Sequence, residues 1–491
     1  MSLLHEVRSF WRAEPRDHRV ALVAIVLVGI ILRLLTLSQP MRYDEAVTYL
    51  EFVRQPLSQA LSGYDNPKNH LFHTLLAKAS VAVFGNAPWA IRLPAFVAGV
   101  TLVPLTYGAA RILYGARAAI VAAALVSASG VLTLYSTNAR GYSLVVAAFL
   151  VLVLLAAQLI RAPGMHWWVA YGVVSALGVW TIPVMLYPLG AVSLWLALSL
   201  LVDGRRRELG WLGGALALGA ALTLGAYGPV FARTGVASVV RNKFVASSVW
   251  TQFLGDMAVA GWDTIRSWGL GWPPIVHAGA LAIAAVALAR HERLSSFRVG
   301  VPLAAFVWSA WLLVVTHRAP FPRIWLWCIP VVSALVGAGL VDLLDRSRRM
   351  ARFAARVPLL AGIVAVAGSA SVAVSGAVLR TRDTGTFVDA EATALQLSTF
   401  LRPGDRVTAA TPTDGPLAYY FDRLGVDPAY FRGEEAEARR LVVIVNEGEG
   451  ETIHEVLQGL AALDTARYAS SLIANRPRSK VYLFERRDAP K

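Results

Sequence analysis

Charge is scarce in this chain of 491 residues: Asp, Glu, Lys and Arg make up 16% of it, against 56% hydrophobic residues. With a mean hydropathy of +0.54, that scarcity excludes an ordinary soluble enzyme, which carries charge on about a quarter of its residues. Cysteine is scarcer still. The single Cys328 excludes an intramolecular disulfide and any cysteine metal cluster. No Gly-rich phosphate loop or dinucleotide fingerprint opens a helix, which removes those nucleotide-binding modes. Acidic residues number 31 against 46 Lys and Arg, a formal net charge of +15. In so apolar a chain that excess belongs to cytoplasmic loops and lipid head groups rather than to nucleic acid.

What the chain has in quantity is apolar runs of roughly 20 residues, the length that crosses a bilayer as helix. They lie at 20–37, 88–110, 118–134, 142–160, 167–180, 184–201, 210–230, 275–288, 300–316, 324–340 and 357–378. The pattern predicts a polytopic α-helical membrane protein with about 11 transmembrane helices. Arg8, Arg12, Arg16 and Arg19 precede the first run and no small-residue cleavage pattern follows it, as in an uncleaved signal anchor with a cytoplasmic N-terminus. Alternation then assigns to the inside the loops carrying Arg205 to Arg207, Arg290 with Arg293 and Arg298, and Arg346, Arg348, Arg349, Arg352 and Arg356, as the positive-inside rule requires. An odd count leaves the C-terminal segment outside. Pro183 and Pro188 interrupt the 167–201 region, and losing one span there would move the C-terminus inside.

Residues 1–380 thus form a membrane domain with two long outer connections, 38–89 and 232–274. The first contains amphipathic stretches at 46–61 and 71–84 suited to the interface. The second carries Trp250, Trp262, Trp268 and Trp272, as an interfacial belt would. From 381 to 491 charged residues run throughout, with short β-type runs at 406–410, 441–446 and 480–485 and helical patterns at 389–400, 415–424 and 452–463. That alternation reads as a small C-terminal α/β extracytoplasmic domain.

Four clusters can carry chemistry. Asp44 and Glu45 follow the first span, where two adjacent carboxylates cost desolvation unless paired or used; they are candidate catalytic groups, though a solvated helix N-terminus also favours acids. In the 64–74 segment, Lys68 and His70 suit a phosphate and Asn69 suits sugar hydroxyls, while the same residues would also cap the helix beginning at Leu71. His70 and His73 have metal-ligand spacing without a clear third ligand, so a divalent metal is possible but not favoured. Asn138, Arg140 and Tyr142 sit in a tight turn between two spans, on the same side as Asp44 by topology. Arg318 and Arg323 occupy another outer loop. Several cations gathered on one face with two acids favour an anionic lipid substrate. Arg33, near the outer end of the first span, is read as snorkelling to the interface.

Taken in order, Asp44-Glu45, the run from Asn69 to Leu76, Phe84-Gly85 with Arg92-Leu93-Pro94, and the run from Tyr135 to Tyr142 resemble the GT-C membrane glycosyltransferases. The branch is the bacterial one similar to protein O-mannosyltransferases and to lipid A aminoarabinose transferase. The resemblance is strongest over 20–145 and reaches the C-terminal domain only in its placement. It implies a GT-C fold in the bacterial cytoplasmic membrane. It also implies inverting transfer of a sugar from a polyprenyl-phosphate carrier to a glycan, lipid or protein acceptor on the outer face, with no cofactor required. The family's general base maps onto Asp44, with Glu45 in support. Lys68, Arg140, Arg318 and Arg323 become candidates for the phosphate side, and Asn69, His70, Asn138 and Tyr142 for donor phosphate or sugar. Many relatives carry an acid where this chain has Asn138, which weakens the case for a metal. Two other readings compete: a flippase of lipid-linked sugars, which would show paired repeats or charged residues in mid-span, and a non-catalytic envelope assembly protein.

Overall fold

The computed structural model describes residues 11–240, 247–346, 351–431, 438–459 and 464–487. Of the cations named above, Arg8, Arg348 and Arg349 lie outside them, as does the end of the helix expected over 452–463. The chain divides into two compact units: Met1–Thr36 with Leu61–Leu76 and Arg92–Val378, and Leu37–Ala60 with Ala77–Ile91 and Leu379–Lys491.

The first unit is helical. The eleven apolar runs fall on helices, with 118–134 divided between two, and among the described residues seven helices are long and apolar enough to cross a membrane: Arg16–Leu37, Pro88–Tyr114, Tyr142–Arg161, Pro183–Val202, Arg206–Thr234, Cys328–Arg346 and Val357–Ser375. The protein is therefore a multi-pass membrane protein. An eighth crossing is broken: Ala116–Ser127 and Gly130–Ser136 meet at a bend of 62°. Pro274–Ala289 and Val301–Thr316 are shorter apolar helices. Pro163 follows Tyr142–Arg161 and stops it, since the residue before a proline avoids the helical region.

The bend is built around Arg33, which does not snorkel. It is completely buried, and its Nη1 donates to the carbonyls of Gly29 at 3.1 Å and Ser127 at 3.2 Å while Nε donates to Ser136 Oγ at 3.2 Å. Ser127 ends the first half-helix, so its carbonyl lacks an intrahelical donor and the guanidinium supplies one. Ser129 Oγ accepts from Leu132 N at 3.4 Å and caps the second half. Backbones approach closely here because two positions lack a side chain. A Cβ on Gly99 would stand 2.0 Å from Ser136 Oγ, and one on Gly337 would stand 2.3 Å from the Ala118 carbonyl oxygen. Small residues at such crossings let membrane helices pack by van der Waals contact.

The second unit holds a four-stranded mixed sheet of β1 (Arg406–Ala409), β2 (Arg440–Val445), β3 (Tyr468–Asn475) and β4 (Lys480–Arg486), in the order β1-β2-β4-β3. β1 runs parallel to β2, and β4 pairs antiparallel with both β2 and β3. β2 reads Arg-Leu-Val-Val-Ile-Val because it is central and buried on both faces. Helices Ala390–Phe400, Asp414–Leu424 and Ile453–Gln458 accompany the sheet. β3, an edge strand with mostly exposed side chains, is absent from the expected set.

Candidate functional site

The candidate residues fall into two clusters, one in each unit. In the first unit the 64–74 loop is shaped by its own polar groups. Asn66 Oδ1 accepts from Lys68 N at 3.1 Å, an Asx turn around Pro67. Asn69 Nδ2 donates to the Gly63 carbonyl at 2.7 Å and its Oδ1 accepts from Thr74 Oγ1 at 2.8 Å. Asn69 is thus a loop staple, fixing the residues on either side of it.

The turn before Tyr142–Arg161 docks onto this loop. Arg140 Nη1 donates to the Lys68 carbonyl at 2.8 Å, Arg140 Nη2 lies 2.9 Å from His70 Nε2, and Gly141 N donates to His70 Nδ1 at 2.8 Å. Both neighbours of the imidazole are donors. A neutral ring offers one acceptor nitrogen, so the tautomer decides which contact is the hydrogen bond, and an imidazolium would satisfy neither. Burial, reinforced by the Arg140 charge, the neighbouring His73 and the charge of Arg323, holds the His70 pKa well below the usual histidine range. His73, buried with no partner on either ring nitrogen, is pushed down to about 3 by burial and by Arg140. Tyr142 packs its ring edge-on against His70 at 5.2 Å and against Tyr135 at 5.0 Å.

This arrangement brings together Lys68, Asn69, His70, Arg140 and Tyr142, with Asn138 buried in the same turn and Arg323 near enough for its charge to bear on His70. Arg318 bears instead on Tyr187. Tyr64, whose phenol burial pushes up to about 12, packs edge-on against Tyr227 at 6.0 Å. Tyr227 escaped the sequence reading, because one tyrosine inside a long apolar run gives no signal. The cluster can hold an anion beside neutral imidazoles. Among the described residues no group of three or more His, Cys, Asp or Glu side chains is placed to hold a metal ion.

In the second unit, Asp44 and Glu45 open the short helix Tyr43–Thr48, both largely buried. Arg42 N donates to Glu45 Oε1 at 2.8 Å, so Glu45 caps its own helix. The first two amides of that helix are tied to the chain entering the sheet region: Tyr43 N donates to the Gly385 carbonyl at 3.1 Å and Asp44 N to the Thr384 carbonyl at 3.2 Å. Arg42 Nη1 donates to the carbonyls of Thr381 and Asp383, both at 2.9 Å. Two backbone pairings and a buried guanidinium therefore fix the backbone of Asp44.

Residues 65–227 match the family model described as dolichyl-phosphate-mannose-protein mannosyltransferase. Among solved structures, the chain is similar to ArnT from Cupriavidus metallidurans in the apo state, with 15% identity, a TM-score of 0.61, and coverage of 94% of this chain and 97% of that one. The same protein bound to undecaprenyl phosphate matches at 16% identity with the same TM-score and coverage. No curated protein matches the chain by sequence.

Proposed function

We propose that this chain, a protein O-mannosyltransferase-like member of the GT-C superfamily and thus a membrane glycosyltransferase, transfers a sugar from a polyprenyl-phosphate carrier to an acceptor at the outer face of the bacterial cytoplasmic membrane. The observation that carries this reading is the buried Arg140, fixed between the Lys68 carbonyl and His70 with the charge of Arg323 nearby. A cationic cluster beside two neutral imidazoles suits a phosphodiester. An imidazolium there would add charge, but it could not accept the hydrogen bonds that position it.

The acceptor hydroxyl gives its proton to the Asp44 carboxylate as its oxygen bonds to the anomeric carbon. The bond from that carbon to the phosphate oxygen breaks, its electron pair leaves with polyprenyl phosphate, and the configuration inverts. The leaving group becomes a phosphate dianion and needs no protonation, so the task of Lys68, Arg140 and Arg323 is to stabilise growing charge. Glu45 holds the start of the helix that presents Asp44. That ArnT has been seen with undecaprenyl phosphate supports a lipid-linked donor for a chain of the same fold.

The test is a panel of radiolabelled polyprenyl-phosphate sugars given to purified protein with membrane extract as acceptor source. Label moving into an acceptor, with release of polyprenyl phosphate, supports the transferase. Label crossing a vesicle membrane still attached to its carrier, with no transfer, would establish a flippase instead.

A further inference from the structure

Helix Tyr142–Arg161 carries the Arg140 turn at its start and a second polar site at its end, about 30 Å away at 1.5 Å per residue. There a cavity of about 250 Å³ is lined by Arg161, Ser199, Asp203, Phe297 and Arg298 among others. Its walls are fixed. Ser296 N donates to the Leu113 carbonyl at 2.9 Å and Trp195 Nε1 donates to the Val299 carbonyl at 2.9 Å, pinning the chain on both sides of Arg298. The Arg161 guanidinium lies over the Phe297 ring at 5.4 Å.

Its polar groups are little used: Arg161 Nη2 makes one long bond, to the Ile112 carbonyl at 3.4 Å. Ser199 Oγ is buried without a hydrogen-bond partner, and among the described residues the side chains of Asp203 and Arg298 enter no ion pair or hydrogen bond. Buried hydroxyls are ordinarily satisfied, so an orphan at the floor of a polar cavity points to a ligand. Two guanidiniums beside one carboxylate match a zwitterion better than a simple anion, which would face Asp203 uncompensated. Leu201 and Val202 continue the rim as exposed apolar surface at the end of a membrane helix.

We propose that this cavity binds the head group of a membrane phosphatidylethanolamine, its phosphodiester held by Arg161, Arg298 and Ser199, its ammonium by Asp203, and its acyl chains along Leu201 and Val202. The shared chemistry is a phosphodiester bearing an ammonium, which a soluble glycerophosphoethanolamine also carries. The hydrocarbon flank selects the lipid. None of these residues belongs to the candidate transfer site, so the proposal does not depend on the transfer reaction.

The experiment is native mass spectrometry of delipidated full-length protein titrated with phosphatidylethanolamine, glycerophosphoethanolamine or inorganic phosphate. The wild type retains one lipid molecule, and Arg161→Gln with Arg298→Gln weakens retention at least tenfold. Arg298→Lys alone, keeping the charge, retains the lipid and checks that the fold persists. Asp203→Asn lowers the preference for phosphatidylethanolamine over phosphatidylglycerol. Unchanged lipid retention in the double variant would overturn the proposal, and so would displacement of the lipid by equimolar inorganic phosphate or glycerophosphoethanolamine.

Discussion

Arg140 and His70 meet at 2.9 Å between Nη2 and Nε2, joining segments 70 residues apart in sequence. The same guanidinium holds the Lys68 carbonyl, so one side chain sets the position of the whole 64–74 loop relative to the turn before Tyr142–Arg161. Lysine cannot reproduce that fork, because an ammonium lacks the planar pair of donors. Arg140→Lys is expected to lose about 1.5–3 kcal/mol of stability, the worth of a charged hydrogen bond, and to lower sugar transfer at least tenfold. Unfolding in detergent and a transfer assay check both. A variant with wild-type transfer would remove Arg140 from the donor site.

Stability should depend on pH through the two buried imidazoles. Both are neutral in the folded protein, and in the unfolded chain each takes a proton near pH 6.5. Below that pH the unfolded state binds protons the folded state refuses, so stability falls as pH drops, by at most about 1.4 kcal/mol per pH unit for each ring. For His73 the loss continues toward about pH 3. Thermal unfolding between pH 7.5 and 5 should show the decline, and His73→Gln should flatten it. An unaltered slope in that variant would show that His73 is not held neutral.

The contact of Gly99 with Ser136 predicts a paired effect. Gly99→Ala puts a methyl group 2.0 Å from Ser136 Oγ and 3.2 Å from Ser136 Cα, and overpacking of this kind costs about 1–3 kcal/mol. Ser136→Gly alone costs stability by removing the acceptor of Arg33 Nε, but in that background Gly99→Ala should cost much less than in the wild type, as double-mutant cycles detect for residues in contact. Additive losses would mean that the helices do not meet at this point.

The spans were legible because length and apolar content are set by the bilayer itself, and β2 was legible because a central strand is apolar on both faces. β3 was not, since an edge strand exposing Ser470, Ser471 and Leu472 has no buried face to impose a period. The break at Ala128 and Ser129 was hidden in a continuous apolar run. What makes it stable is the distant Arg33 reaching the Ser127 carbonyl, a partnership that no local pattern announces. At the candidate site, His70 and Arg140 were each legible as polar residues beside membrane spans, but their pairing was not. Asn69 looked like a ligand for sugar and is occupied as a staple for its own loop. Polar type and sidedness can be read from a sequence; which polar group satisfies which is decided by the fold.

The central claim is that Asp44 removes the acceptor proton in a sugar transfer. It is tested most directly by single-turnover transfer with Asp44→Asn, an isosteric change that leaves the backbone pairing with Thr384 in place, alongside donor binding by the same protein. The account predicts a fall in the transfer rate of about 10²–10⁴-fold, the usual contribution of a general base, with donor affinity within a few-fold of wild type. Transfer at the wild-type rate by Asp44→Asn would contradict it.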